Sequence, residues 1–125
     1  MANLTDAEED RLLDLTLPPA GGVYLALFTV APGETGGGTE VAGAGYERME
    51  LKTSAASGGS KTNSEEILFP EAEGDWGTIM GYGVFDAAVG GTLRWYRALT
   101  QSEQREIKEG DRYRVATGRL TFTMD

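Results

Sequence analysis

Short apolar and alternating segments separated by glycine-rich turns run along most of the chain, and the first twenty positions carry a different pattern. There, Thr5-Asp6-Ala7-Glu8 fits a capping box, with Thr5 as N-cap and Glu8 three residues on. Asp6, Glu8, Glu9 and Asp10 load the first turn with negative charge, as a helix dipole favours. Leu12, Leu13, Leu15 and Leu17 follow, and Pro18-Pro19 then Gly21-Gly22 end the segment. The pattern predicts a helix over 6–16, whose leucines pack either on their own domain or on a neighbouring subunit.

Val23–Val30, VYLALFTV, is apolar at successive positions and predicts a central strand covered on both faces. Ala31-Pro32-Gly33 ends it, and Gly33–Gly45 reads as a long mobile loop. In Tyr46–Thr53, Tyr46, Arg48, Glu50 and Lys52 face one way and Met49 and Leu51 the other, the alternation of a half-buried strand. Residues 54–62, SAASGGSKT, read as a flexible turn, and Ile67–Phe69 as a short strand ended by Pro70. Trp76–Phe85 opens a hairpin that turns through DAAVGG, with Gly90 or Gly91 at positive φ. Gly81 and Gly83 leave room for a bulky ring, for which Trp76 or Trp95 is the candidate. Leu93, Trp95 and Leu99 alternate with Thr92, Arg94 and Tyr96. Ile107 with the Glu109-Gly110-Asp111 turn predicts another short hairpin. Arg112–Val115 and Arg119–Met124 close the sheet, with Leu120, Phe122 and Met124 inward.

The sum is a mainly β fold: an antiparallel β-sandwich or small closed barrel of about seven strands with one short N-terminal helix. We expect a single β domain over 1–125, with helix and linker in 1–20 and the sandwich in 23–125. Its last strand is expected to be integral, so that truncating it unfolds the domain.

Composition narrows the chemistry. The chain has neither Cys nor His, which removes thiolate chemistry, disulfides, the commonest general base and the commonest zinc ligand. The net charge of −9 makes nucleic acid and anionic membrane surfaces poor partners. No apolar run approaches the roughly 20 residues that span a bilayer. The opening MANLTDAEED lacks a basic stretch before an apolar one, so synthesis in a cytoplasm is expected.

Carboxylates at Glu65, Glu66, Glu71, Glu73, Asp75 and Asp86 supply the residue types of a glycosidase pair. Acids in turns more simply hydrogen-bond turn amides, and Asp86 reads as such a cap of DAAVGG. No D-x-D-x-D-G loop is present, although loop carboxylates and carbonyls leave a calcium ion open. GETGGGTE carries glutamates where a phosphate loop needs a lysine. Ser and Thr nucleophiles have no visible base. We therefore expect no catalytic residue, no cofactor and no metal site. The cluster Arg94-Trp95-Tyr96-Arg97 reads as a strand with core Trp95 and exposed arginines, or as a surface that stacks on sugars or bases.

Two blocks carry a resemblance. VYLALFTVAPGETGGGTEVAGAGYER and ILFPEAEGDWGTIMGYGVFDAAVGGTL resemble, in order, the opening and central blocks of a family of small tailed-phage virion proteins. GDRYRVATGRLTFTMD resembles its closing hairpin. The similarity runs over about residues 4–125. RALTQSEQREIKEGDRYR is richer in charge than the family pattern, and the short N-terminal helix is a second departure.

The resemblance implies a non-enzymatic virion component of tail-fibre-like, minor tail or capsid decoration type. It is expected on the virion surface, made in the bacterial host cytoplasm. Its partners are other virion proteins, of capsid or tail. A homo-oligomer is expected, with a trimer among the candidates. The leading expectation is an outer head decoration protein docking through Leu12, Leu13, Leu15 and Leu17. The alternative is a tail-associated module that recognises a host-surface glycan through Trp95, Tyr96 or the Gly33–Gly45 loop.

Overall fold

The computed structural model describes residues 2–123; Met124, expected to point inward, lies outside the described residues. Helix α1 covers Asp6–Thr16, as the pattern predicts. The Thr5 hydroxyl accepts the Glu8 amide at 3.2 Å. The Glu8 carboxylate turns instead to Arg11, 2.5 Å away. The last turn of α1 has no basic residue of its own. Lys61 supplies the charge from elsewhere: its Nζ donates to the Leu17 carbonyl at 2.5 Å and to Asp14 at 2.8 Å. The Thr53 hydroxyl donates to the same carbonyl at 2.9 Å. A cation at a helix C-terminus is favourable, and the buried Lys61 head makes two hydrogen bonds there.

Eleven strands are present among the described residues. They are β1 (Val23–Val30), β2 (Thr39–Glu40), β3 (Met49–Leu51), β4 (Ser60–Thr62), β5 (Ile67–Leu68) and β6 (Gly77–Ile79). The chain continues with β7 (Gly81–Phe85), β8 (Leu93–Ala98), β9 (Arg105–Ile107), β10 (Arg114–Val115) and β11 (Thr121–Thr123). One 3₁₀ turn, Gln101–Glu103, precedes β9. The largest sheet runs β2-β1-β7-β8, with β3 also on β1. Two-stranded sheets pair β5 with β10, β4 with β11 and β6 with β9, all antiparallel. The sheets do not close into a barrel among the described residues, so of the two expected arrangements the sandwich is the one that forms.

The excess over about seven strands has local causes. Residues 33–45 are not irregular throughout, since Thr39–Glu40 form β2. Gly33 and Gly36 exchange backbone hydrogen bonds at 2.9 Å, and Gly36, Gly37 and Gly38 take φ of 87°, 76° and 73°. That tight reversal returns the chain along β1 as β2. Residues 54–62 hold β4, which pairs with β11 from the far end of the chain. The expected strand across Trp76–Phe85 is interrupted at Met80, so β6 and β7 join different sheets.

β1 is covered on both faces, as its pattern requires. Val23, Leu25 and Leu27 join the main core with Leu13, Leu17 and Phe69. On the other face Phe28 stacks on Phe85, with ring centroids 6.1 Å apart. Phe28, not a tryptophan, is the ring over Gly83: a Cβ there would lie 2.6 Å from Phe28 Cε1. Tyr46 also departs from expectation. The strand begins only at Met49, and Tyr46 turns inward to stack on Phe69 and meet Trp76 edge-on. Leu120 and Phe122 are buried while Thr121 and Thr123 are exposed, as the alternation predicts.

Candidate functional site

The residues of the two recognisable blocks are knitted together by one polar network. Arg48 is held in place by a fork to Glu40, with both nitrogen–oxygen distances 2.9 Å. It also donates to the carbonyls of Ala87 and Gly90 at 3.0 and 2.7 Å and lies 3.7 Å above the Phe85 ring. The Tyr46 hydroxyl donates to Glu40 at 2.7 Å and accepts from the Leu27 amide at 3.1 Å. Burial and the Glu40 hydrogen bond push the Tyr46 hydroxyl well above its ordinary range. Burial pushes the Glu40 carboxyl up as well, but the hydrogen bonds from Arg48 and Tyr46 outweigh it and hold the group ionised. This network has every member satisfied and anchors the β7–β8 turn to β1 and β2. Its role is architectural.

Asp86 behaves as the turn cap read from the sequence. Its carboxylate accepts from the Thr92 amide at 2.8 Å and pairs with Arg94 at 2.8 Å. Among the described residues, no three acidic side chains are gathered to hold a metal ion.

The exposed features converge on β8. It is an edge strand of the main sheet, paired only with β7 among the described residues. Arg94, Tyr96 and Arg97 are exposed on it, whereas Trp95 is half-buried. The Trp95 indole packs edge-on against Phe122 and its N–H donates to the Thr16 hydroxyl at 3.3 Å. Trp95 therefore locks α1 to the sheet, and Tyr96, 44% exposed, is the accessible ring of the pair.

Three clefts follow this edge. The first, about 460 Å³, lies between Gly33–Gly36 and Tyr96, so folding brings together two of the expected glycan elements. The second, about 190 Å³, is bounded by Tyr96, Trp95, Tyr82 and Arg97. The third, about 630 Å³, is built from the segment between β8 and β11, with the Tyr82 and Tyr113 hydroxyls 2.5 Å apart in its wall. Burial, then the Tyr82 hydroxyl, pushes Tyr113 well above its ordinary range. The sequence reading passed over this third cleft. The signal for it was present: five of the eight arginines fall between residues 97 and 119.

The three leucines of α1 and Leu17 at its C-cap separate. Leu13 and Leu17 are 0% exposed and belong to the chain's own core. Leu12 is half-buried, and Leu15 is 66% exposed. The physical reason is α1's docking on β4, where Lys61, Thr53 and Asp14 hold its C-terminal turn down.

A family model described as podophage GP4 fiber I protein gp80 matches residues 3–123. The chain belongs to that family. Membership makes it a phage virion structural protein of fibre type, in agreement with the resemblance of its sequence blocks. No curated protein matches it. Within this fibre-family chain, no helix among the described residues is long and apolar enough to cross a membrane.

Several carboxylates of the family member are held ionised by named partners. Glu103 sits at about 2, through the Thr100 amide first, then Arg97 and the Thr100 hydroxyl. Asp86 is lowered by the Thr92 amide and then Arg94, and Asp14 by Lys61 and then the Ala56 amide. Groups with depressed folded pKa values stabilise the fold above their unfolded values and lose that contribution as pH falls through the folded ones. The urea midpoint should therefore fall as pH drops from about 4.5 towards 2. Glu103→Gln should flatten the lowest part of that decline. A midpoint that stays level across the window would contradict these assignments.

Proposed function

We propose that this chain is a fibre-associated structural domain on the outside of a phage particle, contacting host-surface carbohydrate along the β8 edge. The observation that carries the reading is the fibre-family match over nearly the whole chain. The geometry supports it: Tyr96 presents an accessible ring beside the Gly33–Gly36 reversal, the arrangement in which an aromatic face meets the apolar face of a sugar. Of the four leucines expected to dock on a neighbour, Leu13 and Leu17 are spent in the chain's own core.

Gold-labelled antibody against the domain should mark the fibres of intact particles. Labelling distributed over the head shell would overturn the fibre assignment. A glycan array should show saturable binding that Tyr96→Ala removes with the melting temperature unchanged. Trp95→Ala is the poorer probe, because it also breaks the contact with α1.

As part of the same reading, the chain assembles as a homo-oligomer, with the trimer as the specific form to test. Leu15 is the exposed apolar residue of α1, one turn from the half-buried Leu12. Sedimentation should show wild type as an oligomer and Leu15→Glu shifted towards monomer with its far-UV circular dichroism unchanged. A monomeric wild type would sink this element of the proposal.

A further inference from the structure

The third cleft concentrates positive charge in a chain whose net charge is −9. Arg97 comes from β8, Arg105 from β9, Arg114 from β10, and Arg112 and Arg119 from the adjoining turns. Three of these are occupied. Arg97 pairs with Glu103 at 2.8 Å, Arg114 reaches Glu66 at 3.2 Å, and Arg105 donates to the carbonyls of Ser102 and Gln104 at 3.1 and 2.9 Å. Arg112 and Arg119 are exposed, and their guanidinium groups make no hydrogen bond or ion pair among the described residues. The five arginines outnumber the three carboxylates of the same lining, Glu103, Glu106 and Asp111, which offset their mutual repulsion only in part. A bound anion relieves it.

We propose that this cleft binds a carboxylate-bearing sugar unit of an acidic surface polysaccharide. The proposal rests on the carbohydrate reading above and names the class of ligand. A guanidinium fork matches a carboxylate with two parallel hydrogen bonds, which Arg112 and Arg119 have free to offer. The paired Tyr82 and Tyr113 hydroxyls both donate and accept, as sugar hydroxyls require. Glu106 and Asp111, also on the lining, are acceptors for ring hydroxyl protons. That mixture is what distinguishes the ligand. A phosphate run brings only acceptors and leaves Glu106 and Asp111 facing like charge, and an acidic peptide offers them only its backbone N–H groups, without the hydroxyls a sugar ring carries. The volume of about 630 Å³ suits a short oligosaccharide. The cleft shares Tyr82 and Arg97 with the second cleft, so one saccharide chain can run from one into the other, while the first cleft lies across β8 on the face that Tyr96 shares with Gly83.

Calorimetric titration of the intact chain with a panel of uronate and ulosonate oligosaccharides, each beside its carboxyl-reduced neutral form, tests the assignment. The expected result is binding of an acidic member that weakens about tenfold or more on carboxyl reduction, and as much in the Arg112→Gln/Arg119→Gln double variant. Added salt should weaken it further. Among the described residues the two arginines have no side-chain partners to lose, so the double variant should melt with wild type. Equal affinity for acidic and reduced forms, or an unaffected double variant, overturns the proposal. So does binding of inorganic phosphate or a polyglutamate peptide in place of every sugar. Neutral sugars bound and lost in Tyr96→Ala, with no acidic preference, overturn the cleft assignment and leave the carbohydrate reading standing. No binding of either form overturns both.

Discussion

Leu13→Glu is expected to unfold the domain, or to strip α1 from it, and not merely to separate subunits. Leu13 is 0% exposed and packs in the same cluster as Leu17, Leu25 and Leu51. The substitution removes a core side chain and places a carboxylate where no hydrogen-bond donor waits for it. The combined loss is on the order of 5 kcal/mol. Total stabilities of such domains are only about 5–15 kcal/mol. Far-UV circular dichroism melts and tryptophan fluorescence measure the effect. Trp95 reports on α1 directly, through its hydrogen bond to Thr16. A Leu13→Glu protein that melts with wild type and differs only in its sedimentation would mean that Leu13 faces a neighbouring subunit after all. Leu15→Glu, two positions away, is the internal control, since its side chain is already mostly in water.

Phe69→Ala has the second largest expected effect. Phe69 is 0% exposed, stacks on Tyr46 at 6.4 Å between centroids and meets Tyr113 edge-on at 6.1 Å. It therefore joins the residues that carry the Glu40–Arg48 network to those that carry the tyrosine pair of the third cleft. Removing a buried phenyl ring costs about 4 kcal/mol, since rigid surroundings close poorly over the space. A fall in melting temperature of roughly 15 °C is the corresponding observable. If the proposed arginine cleft binds its sugar, Phe69→Ala should also weaken that binding, because Tyr113 loses its support. A loss below about 1 kcal/mol would show that the aromatic cluster repacks easily and is not the rigid centre described.

Features set by local physics were legible in the sequence. The span of α1 followed from a cap at Thr5 and a stop at Pro18-Pro19. The two-sided burial of β1 followed from its continuous apolar run, and the inward facing of Leu120 and Phe122 from strict alternation. Gly90 and Gly91 both take the positive φ that their turn demanded, at 69° and 77°. Asp86 caps its turn as Asp commonly does. The exposed ring of Tyr96 beside the glycine reversal was half legible: both elements were named, and their adjacency was not.

What the sequence by itself determined was the β character of the chain, its helix, its turns, the chemistry it lacks and the virion family whose pattern it carries. The helix, the turns and the strand alternation depend on residues within a few positions of one another, and the rest on composition and the order of sequence blocks. Only the tertiary structure decided which glycine- and serine-rich segments would become strands, because β2 and β4 exist through pairing with β1 and β11 and have little propensity of their own. It alone divided the leucines of α1 between core and surface, since that division depends on where Lys61 and Thr53 seize the helix end. It alone drew Arg97, Arg105, Arg112, Arg114 and Arg119 around one space. Charges scattered along a sequence acquire a common field only when the chain folds them within Coulombic reach of each other.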